Sequence, residues 1–511
     1  MKSRMSRRDF LKLAGLLPIG AASSGLVENL DRSLQAQGKP QNVLVVVFDA
    51  LSACNVSLYG YQRDTMPNLG RLAERAIVYH NHYANGNYTT PGTASLLTGT
   101  LPWTHRAFQG NTTTEESFVD RNMFPAFQGY HRLAYSHNPW ANTLLTQFGK
   151  HVDDLIPENR LFLRNDIIIP TLYNNDKDIA TLSWVRTMKR RTEGYSYSLL
   201  LSHLYALYDK KLEAKYAGLK LQYPDGFPGL SADNYFLLED AIDWLGNKLA
   251  NQPQPFLGYF HFLPPHAPYK PHINFWGRFE NDDWVPAFKP IDLFFTDMED
   301  LSPIRGSYDE FILYVDWQFG RFFDRLDQSG LLENTWIILT SDHGQMFERG
   351  IWGHGSPVLY DPVVRVPLVI FEPGRKARLD IHIPTSSVDV LPTLLHVTGQ
   401  KPVGWSEGVV LPPFTPEEYD PQKSHYIVQA RDTALQAPLT TATIALIKGT
   451  YKLMYFFGYK ELGAEERIEL YDFQQDPEEL NNLYPSKREI GAVLLNEIKT
   501  KLAEVNEPYV G

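Results

Sequence analysis

Residues 42–49 read NVLVVVFD and residues 335–342 read TWIILTSD. Each run is dominated by β-branched and other apolar residues, and each holds no charge until its last position, where a carboxylate stands: Asp49 in the first, Asp342 in the second. A strand wetted on one face alternates apolar and polar residues; an almost unbroken apolar run is the pattern of a strand buried on both faces of a parallel sheet. Pro255–Phe262 and Val366–Phe371 carry the same pattern. Between these runs lie segments with helical spacing: Met66–Ala76 with Pro67 near its start, Pro91–Leu97, Ala232–Asn251, Ser307–Leu326 and Ser387–Val397. Ala76–Tyr83 and Arg132–Tyr135 read as further strands. This alternation predicts a doubly wound α/β fold over residues 40–412, with a mixed, mostly parallel sheet flanked by helices. In such sheets chemistry gathers beyond the carboxyl ends of the strands.

After residue 413 the character changes. Tyr426–Ala430, Thr443–Lys448 and Tyr451–Phe457 read as short antiparallel strands and Lys487–Val505 as a closing charged helix, a smaller α+β subdomain over 413–511. Thr181–Pro228 and Pro264–Pro303 are aromatic-rich and weakly periodic, as expected of insertions over the active face. In the second of them, Phe275, Trp276, Phe279, Trp284 and Phe288 form either an aromatic rim over the site or the core of a lid.

The chain has 511 residues, 43% of them apolar, enough for a well-cored enzyme. Its net charge of -11 argues against nucleic acid as a partner. A single cysteine, Cys54, excludes an internal disulfide and a thiolate metal cluster. At the start, Lys2, Arg4, Arg7 and Arg8 precede an apolar stretch too broken by Gly15, Pro18, Gly20 and Gly25 to span a membrane well. Ser6-Arg7-Arg8-Asp9-Phe10-Leu11-Lys12 resembles the twin-arginine export signal. Residues 1–36 are therefore expected to be a signal peptide handed to the twin-arginine export machinery of a bacterium, leaving a periplasmic or secreted protein with no stable membrane span.

An ionised carboxylate at the end of a buried strand is costly unless something pairs with it. Asp49, Asp342 and the imidazole of His343 together suit a shared divalent cation; a lone strand-end Asp is equally suited to capping a helix. Thr89 stands two positions before Pro91, which can occupy the first turn of a helix. Its hydroxyl would lie beside free backbone N–H groups, where an anion binds. A threonine hydroxyl becomes a competent nucleophile when a metal lowers its pKa. Ordinary capping is the other reading of Thr89 and Thr90.

The segments NVLVVVFDALSACNVSLYGY, TMPNLGRLAERAIVYHNHYANGNYTTPGTASLLTG, PPHAPY, TSDHGQMFERGIWGHGSP, VRVPLVI, SSVDVLPTLLHVTG and ELYDFQQDPEELNNL occur in an order that resembles the sulfatase family of the alkaline phosphatase superfamily. The resemblance implies an alkaline phosphatase-like fold and a metal-dependent hydrolase acting on ester bonds. It also exposes departures. The family's Cys-x-Pro-Ser-Arg frame, matured to formylglycine, here reads Thr89-Thr90-Pro91-Gly92-Thr93, so no formylglycine is expected; Cys54 is too near Asp49 to replace it. The family's paired aspartates after the first strand are here Asp49-Ala50. What remains, Asp49, Thr89, Asp342 and His343, looks like the metal site of the superfamily's phospho-transferring branches. It implies one divalent ion, zinc or manganese favoured over calcium or magnesium, because Asp316 lacks a histidine four residues on to build a second site.

The same resemblance places His266 on an ester oxygen and His354, where sulfatases often carry lysine, as the donor of a proton to the leaving group. It places His137, Asn138 and His105 at the substrate, although His105 is also readable as structural, and His266 and His354 as ordinary loop histidines. The expected activity is cleavage of a small-molecule or headgroup phosphate, phosphonate or sulfate ester through a covalent Thr89 intermediate, phospho-substrates favoured. The alternatives are a true sulfuric ester hydrolase, a phosphoethanolamine- or phosphoglycerol-type transferase, and a non-catalytic binding protein.

Overall fold

The computed structural model describes residues 40–110, 112–164, 207, 210–211, 214–229, 235–280, 282–295, 300–415, 419–430, 433–463 and 465–510. The expected export signal and most of the first aromatic-rich stretch lie outside the described residues.

In chain order the main sheet uses β1 (Asn42–Phe48), β2 (Ile77–Tyr79), β3 (His131–Ser136), β4 (Asp154–Leu155), β5 (Phe256–Phe262), β6 (Thr335–Thr340), β7 (Leu368–Phe371) and β8 (Leu379–Ile381). Side by side they run β8-β2-β7-β6-β1-β5-β3-β4. β7 is antiparallel to β2 and β6; all the other pairs are parallel. The helices that matter to the site are α1 (Pro67–Ala73), α2 (Thr89–Thr98), α3 (Pro139–Gln147), α4 (Leu238–Ala250), α5 (Ser302–Gln328) and α6 (Val390–Val397).

β1 lies mid-sheet, and its apolar run is divided between two cores. Val43, Val45 and Val47 face α2, α3 and α6. Leu44, Val46 and Phe48 face α1, α4 and α5. Each aliphatic side chain so buried contributes about 1.5–3 kcal/mol. Together they hold β1 in the interior even though this takes Asn42 and Asp49 out of water. Asn42 is repaid locally, its amide donating to Thr335 Oγ1 at 3.2 Å and its oxygen accepting from Phe256 N at 3.1 Å. Asp49 is matched at Oδ2 only, while its Oδ1 has no hydrogen-bond partner among the described residues, and its neighbours define the site.

The register brings four strand ends level. Val47 of β1 pairs with Thr340 of β6 and with His261 of β5, and His261 pairs in turn with Ser136 of β3. Asp49, Ser341-Asp342-His343, Phe262 and His137-Asn138 follow directly on these rungs.

Several sequence expectations shift. Ala76–Tyr83 is two short strands, β2 and a separate pair at His82–Tyr83, because the chain turns at His80-Asn81. Ser387–Val397 begins with a turn of 3₁₀ helix over Ser387–Asp389. Helix α2 starts at Thr89 rather than Pro91; proline is tolerated there because the first-turn N–H groups have no intrahelical acceptor. A second, four-stranded antiparallel sheet runs β9 (His425–Ala430), β10 (Ala442–Lys448), β11 (Tyr451–Phe457), β12 (Arg467–Asp472). Helix α7 (Arg488–Asn506) packs on it through Leu494 and Ile498. Strand β12 escaped the sequence reading because its charged residues (RIELYD) obscure the apolar ones.

The aromatic residues of 275–288 do not form one rim. Phe275 packs inward on Tyr314 and Trp317. Phe279 and Trp284 hold the Arg63 guanidinium, 5.4 and 4.7 Å from their ring centres, and Arg63 pairs with Asp282 and Asp309. Trp276 and Phe288 are exposed. Among the described residues no helix is long and apolar enough to cross a membrane.

Candidate active site

Asp49, Thr89, Asp342 and His343, from three separate regions of the chain, meet at the level strand ends, each 0–1% exposed. His343 Nε2 lies 3.4 Å from Thr89 Oγ1, 3.5 Å from Asp49 Oδ1 and 3.6 Å from Asp342 Oδ2. Its Nδ1 is 2.9 Å from the Gly344 carbonyl oxygen, which only accepts. Nδ1 therefore donates there, and Nε2 is the ring atom turned toward Thr89 and both carboxylates.

The backbone around this point is tightly set. Ser341 Oγ accepts from Leu51 N at 2.9 Å and donates to the His343 carbonyl at 2.6 Å, tying the end of β6 to the loop after β1. Asp342 Oδ1 accepts from His343 N at 3.0 Å and Ala50 N at 3.3 Å. Helix α2 comes so close that a Cβ on Gly92 would stand 2.1 Å from the Asp342 carbonyl oxygen. Glycine is required there for Thr89 to reach the strand ends.

Asn138, expected at the substrate, touches the cluster itself. Its amide nitrogen donates to Thr89 Oγ1 at 3.2 Å and to Asp49 Oδ2, while its oxygen caps α3, accepting from Trp140 N at 2.7 Å. It is a rigid bracket between nucleophile candidate and carboxylate. The sequence reading missed His261. Its Nε2 is 3.1 Å from Asp49 Oδ2 and 3.6 Å from Asp342 Oδ2, and its Nδ1 3.1 Å from the Tyr259 hydroxyl. A histidine at the last-but-one position of a strand neighbouring β1 was the available signal, since residues 47, 49 and 261 share a face once the strands are in register.

Burial pushes the Asp49 carboxyl upward in pKa, but His266, His261 and His343 outweigh it and hold it well below the usual carboxylate range. Burial pulls His261 down, and Asp342 and Asp49 more than reverse this. Asp49 Oδ1 and Asp342 Oδ2 nevertheless have no hydrogen-bond partner among the described residues. Two buried carboxylates, each with an unsatisfied oxygen and facing imidazole lone pairs and a hydroxyl, form a donor set that fits a divalent cation. One donor atom each of Asp49, His261 and Asp342 lies within 4.8 Å of the others.

His354 and His266 border the cluster. The His354 ring centre is 4.1 Å from that of His343 and 5.1 Å from that of His266. His354 Nδ1 donates to Gln345 Oε1 at 2.8 Å, and Gln345 Nε2 donates to the Tyr269 hydroxyl at 2.5 Å, which orients the ring with Nε2 free of hydrogen bonds among the described residues. Burial, then His343 and His266, hold the His354 pKa well below its ordinary value. His266 Nδ1 donates to the Ala267 carbonyl at 2.7 Å, and its Nε2 is likewise free of hydrogen bonds among the described residues.

Three residues are held by packing and hydrogen bonds away from the cluster. His137 is stacked on Phe236 at 4.0 Å; its ring nitrogens have no hydrogen-bond partner among the described residues, and burial lowers its pKa to about 3. His105 has both nitrogens engaged, by Ser95 Oγ at 3.0 Å and Ala107 N at 3.1 Å, leaving none for a substrate. Asp316 caps α1, accepting from Asn68 N and Leu69 N, each at 2.8 Å. Burial also holds His105 neutral, with its pKa lowered to about 3. Below the unfolded-state pKa of about 6.5 the unfolded chain binds a proton at this position that the native state refuses, so this residue costs stability as pH falls. His105→Gln is therefore expected to be destabilising at pH 7. Between about pH 6 and 4 its deficit relative to the parent should shrink by roughly 1.4 kcal/mol per pH unit, measured by denaturant unfolding of both proteins.

Residues 41–400 match the family model described as Sulfatase, and residues 351–508 one described as N-sulphoglucosamine sulphohydrolase, C-terminal. The choline-sulfatase of Rhizobium meliloti is 24% identical over 481 residues, covering 88% of this chain and 83% of that protein. The N-acetylgalactosamine-6-O-sulfatase of Bacteroides thetaiotaomicron is 22% identical, covering 97% and 100%. Among solved structures, the phosphonate monoester hydrolase of Agrobacterium radiobacter superposes with a TM-score of 0.61 at 21% identity, covering 92% of this chain and 96% of that one.

Proposed function

We propose, on the premise that the chain belongs to the sulfatase family and is an ester-bond hydrolase, that it cleaves phosphate or phosphonate esters by attack of Thr89, with sulfate esters as poorer substrates. The observation that carries this reading is the position of Thr89: its hydroxyl sits 3.4 Å from His343 Nε2 and 3.2 Å from Asn138 Nδ2, at the focus of the buried cluster. A threonine there is a nucleophile in its own right, since oxidising its side chain gives a ketone and not the formylglycine aldehyde.

Asp49, Thr89, Asp342 and His343 would hold the divalent ion, with zinc or manganese suiting the nitrogen donor better than calcium. When bound, such an ion lowers the pKa of the hydroxyl and neutralises charge on the ester. The chain's own residues do the rest. Asn138 fixes the Thr89 rotamer. Thr89 Oγ, its proton given up to solvent at the lowered pKa, bonds to phosphorus as the bond to the leaving oxygen breaks. His354 delivers a proton to that oxygen through its free Nε2, and His266 holds a non-bridging oxygen. In the unliganded protein His354 is neutral, so it takes its proton from solvent as the anionic ester binds, whose charge favours the imidazolium. Water, or an acceptor alcohol, then releases the threonine ester.

Sulfate esters are the second reading, supported by the sulfatase names of the relatives. A panel of nitrophenyl phosphate, phosphonate, phosphodiester and sulfate esters decides it. We expect phosphorus esters to be turned over at least as fast as the sulfate; a clear preference for the sulfate would refute the proposal. The amino-terminal segment is proposed to route the folded protein through the twin-arginine pathway. Replacing both Arg7 and Arg8 with lysine should leave unprocessed protein in the cytoplasm, as read by cell fractionation.

A further inference from the structure

We infer that His261 is a direct nitrogen ligand of the divalent ion, so that the centre carries two imidazoles and not only the one supplied by Asp342-His343. This rests on the proposal that the site holds an ion.

The first observation is spacing. In a five-coordinate site with bonds of about 2.0–2.2 Å, neighbouring ligand atoms stand roughly 2.8–3.8 Å apart. His343 Nε2 is 3.5 Å from Asp49 Oδ1 and 3.6 Å from Asp342 Oδ2. His261 Nε2 is 3.1 Å from Asp49 Oδ2 and 3.6 Å from Asp342 Oδ2. The two rings address the same pair of carboxylates in nearly the same way. A hydrogen bond from His261 to Asp49 accounts for the shorter contact. It does not account for the approach to Asp342 Oδ2, which is buried without a hydrogen-bond partner among the described residues.

The second is the outer partner. Metal-bound histidines usually engage their other nitrogen with a fixed group, which sets the tautomer and the ring plane. His343 does so with the Gly344 carbonyl, and His261 with the Tyr259 hydroxyl at 3.1 Å. The third is rigidity. His261 lies in β5, hydrogen-bonded on both edges and fully buried, so its ring is aimed at the carboxylates by the sheet itself. Two imidazoles among the oxygen donors suit zinc, manganese or cobalt; calcium, which takes six to eight oxygens, fits poorly.

The test counts coordinated imidazoles in full-length protein loaded with copper(II), from the nitrogen modulation in pulsed electron paramagnetic resonance. Zinc affinity is measured alongside by competition with a chromophoric chelator. Two imidazoles are expected in the parent protein and one each in His261→Gln and His343→Gln. Zinc affinity should fall on the order of 100-fold in His261→Gln. A single imidazole in the parent, or none in His343→Gln, overturns the inference while leaving the metal reading intact. A parent protein that binds neither copper nor zinc overturns both. The parent and His343→Gln decide the matter even should His261→Gln fail to fold.

Discussion

Thr89→Ala is expected to lower turnover of phosphate, phosphonate and sulfate esters alike by on the order of 10⁴-fold or more, with the protein still folded. The hydroxyl is the proposed attacking group and a metal ligand, so removing it takes away both the covalent route and a donor. Alanine is well suited to the first turn of α2, and the helix's capping does not depend on the Thr89 side chain. Thr89→Ser keeps the hydroxyl and the hydrogen bond from Asn138, and should retain a substantial fraction of activity. If Thr89 were only a ligand and a packing residue, alanine would cost far less, and serine would be indistinguishable from wild type in rate. Peptide mass analysis of the active protein should show an unmodified threonine at position 89.

The second large effect concerns the leaving group. General acid catalysis is worth roughly 10²–10⁴-fold, and it matters most when the departing oxygen is a poor leaving group. His354→Ala should therefore slow an alkyl ester by that amount and a nitrophenyl ester much less. His266→Ala, if His266 holds a non-bridging oxygen, should slow both about equally. The same assignment fixes the sign of a pH effect. The acid must be protonated, so the alkyl-ester rate should fall as pH rises through the His354 pKa in the complex, and the nitrophenyl rate should fall less. Gln345 is fixed between His354 Nδ1 and the Tyr269 hydroxyl, so the ring that presents the proton does not rotate freely. Equal losses on the two esters for His354→Ala would remove it as the acid, and the reverse contrast would move that role to His266.

Asp49 and Asp342 could be picked out from the chain alone because a carboxylate ending a buried apolar run is costly and demands a partner. Thr89 was legible as a hydroxyl placed at a proline-marked helix start. His261 was not. Inside FLGYFHF a histidine looks like any core residue, and only the rung that sets it level with Val47 and Ser136 reveals that it reaches Asp49. The surroundings of His105 and His137 were hidden for the converse reason. They stand near the right segments in sequence, but one is saturated by Ser95 and the Ala107 amide and the other is stacked on Phe236. The antiparallel setting of β7 was equally hidden, since a strand buried on both faces reads the same in either direction.

The central claim is that a covalent ester forms on Thr89, and trapping it is the most direct test. Enzyme mixed with a nitrophenyl phosphonate, quenched in acid within one turnover and digested, should yield the peptide containing Thr89 carrying the phosphonyl group, and the adduct should vanish in Thr89→Ala. Nitrophenol release within that turnover with no adduct on Thr89, or with the phosphonyl group on another side chain, would contradict it.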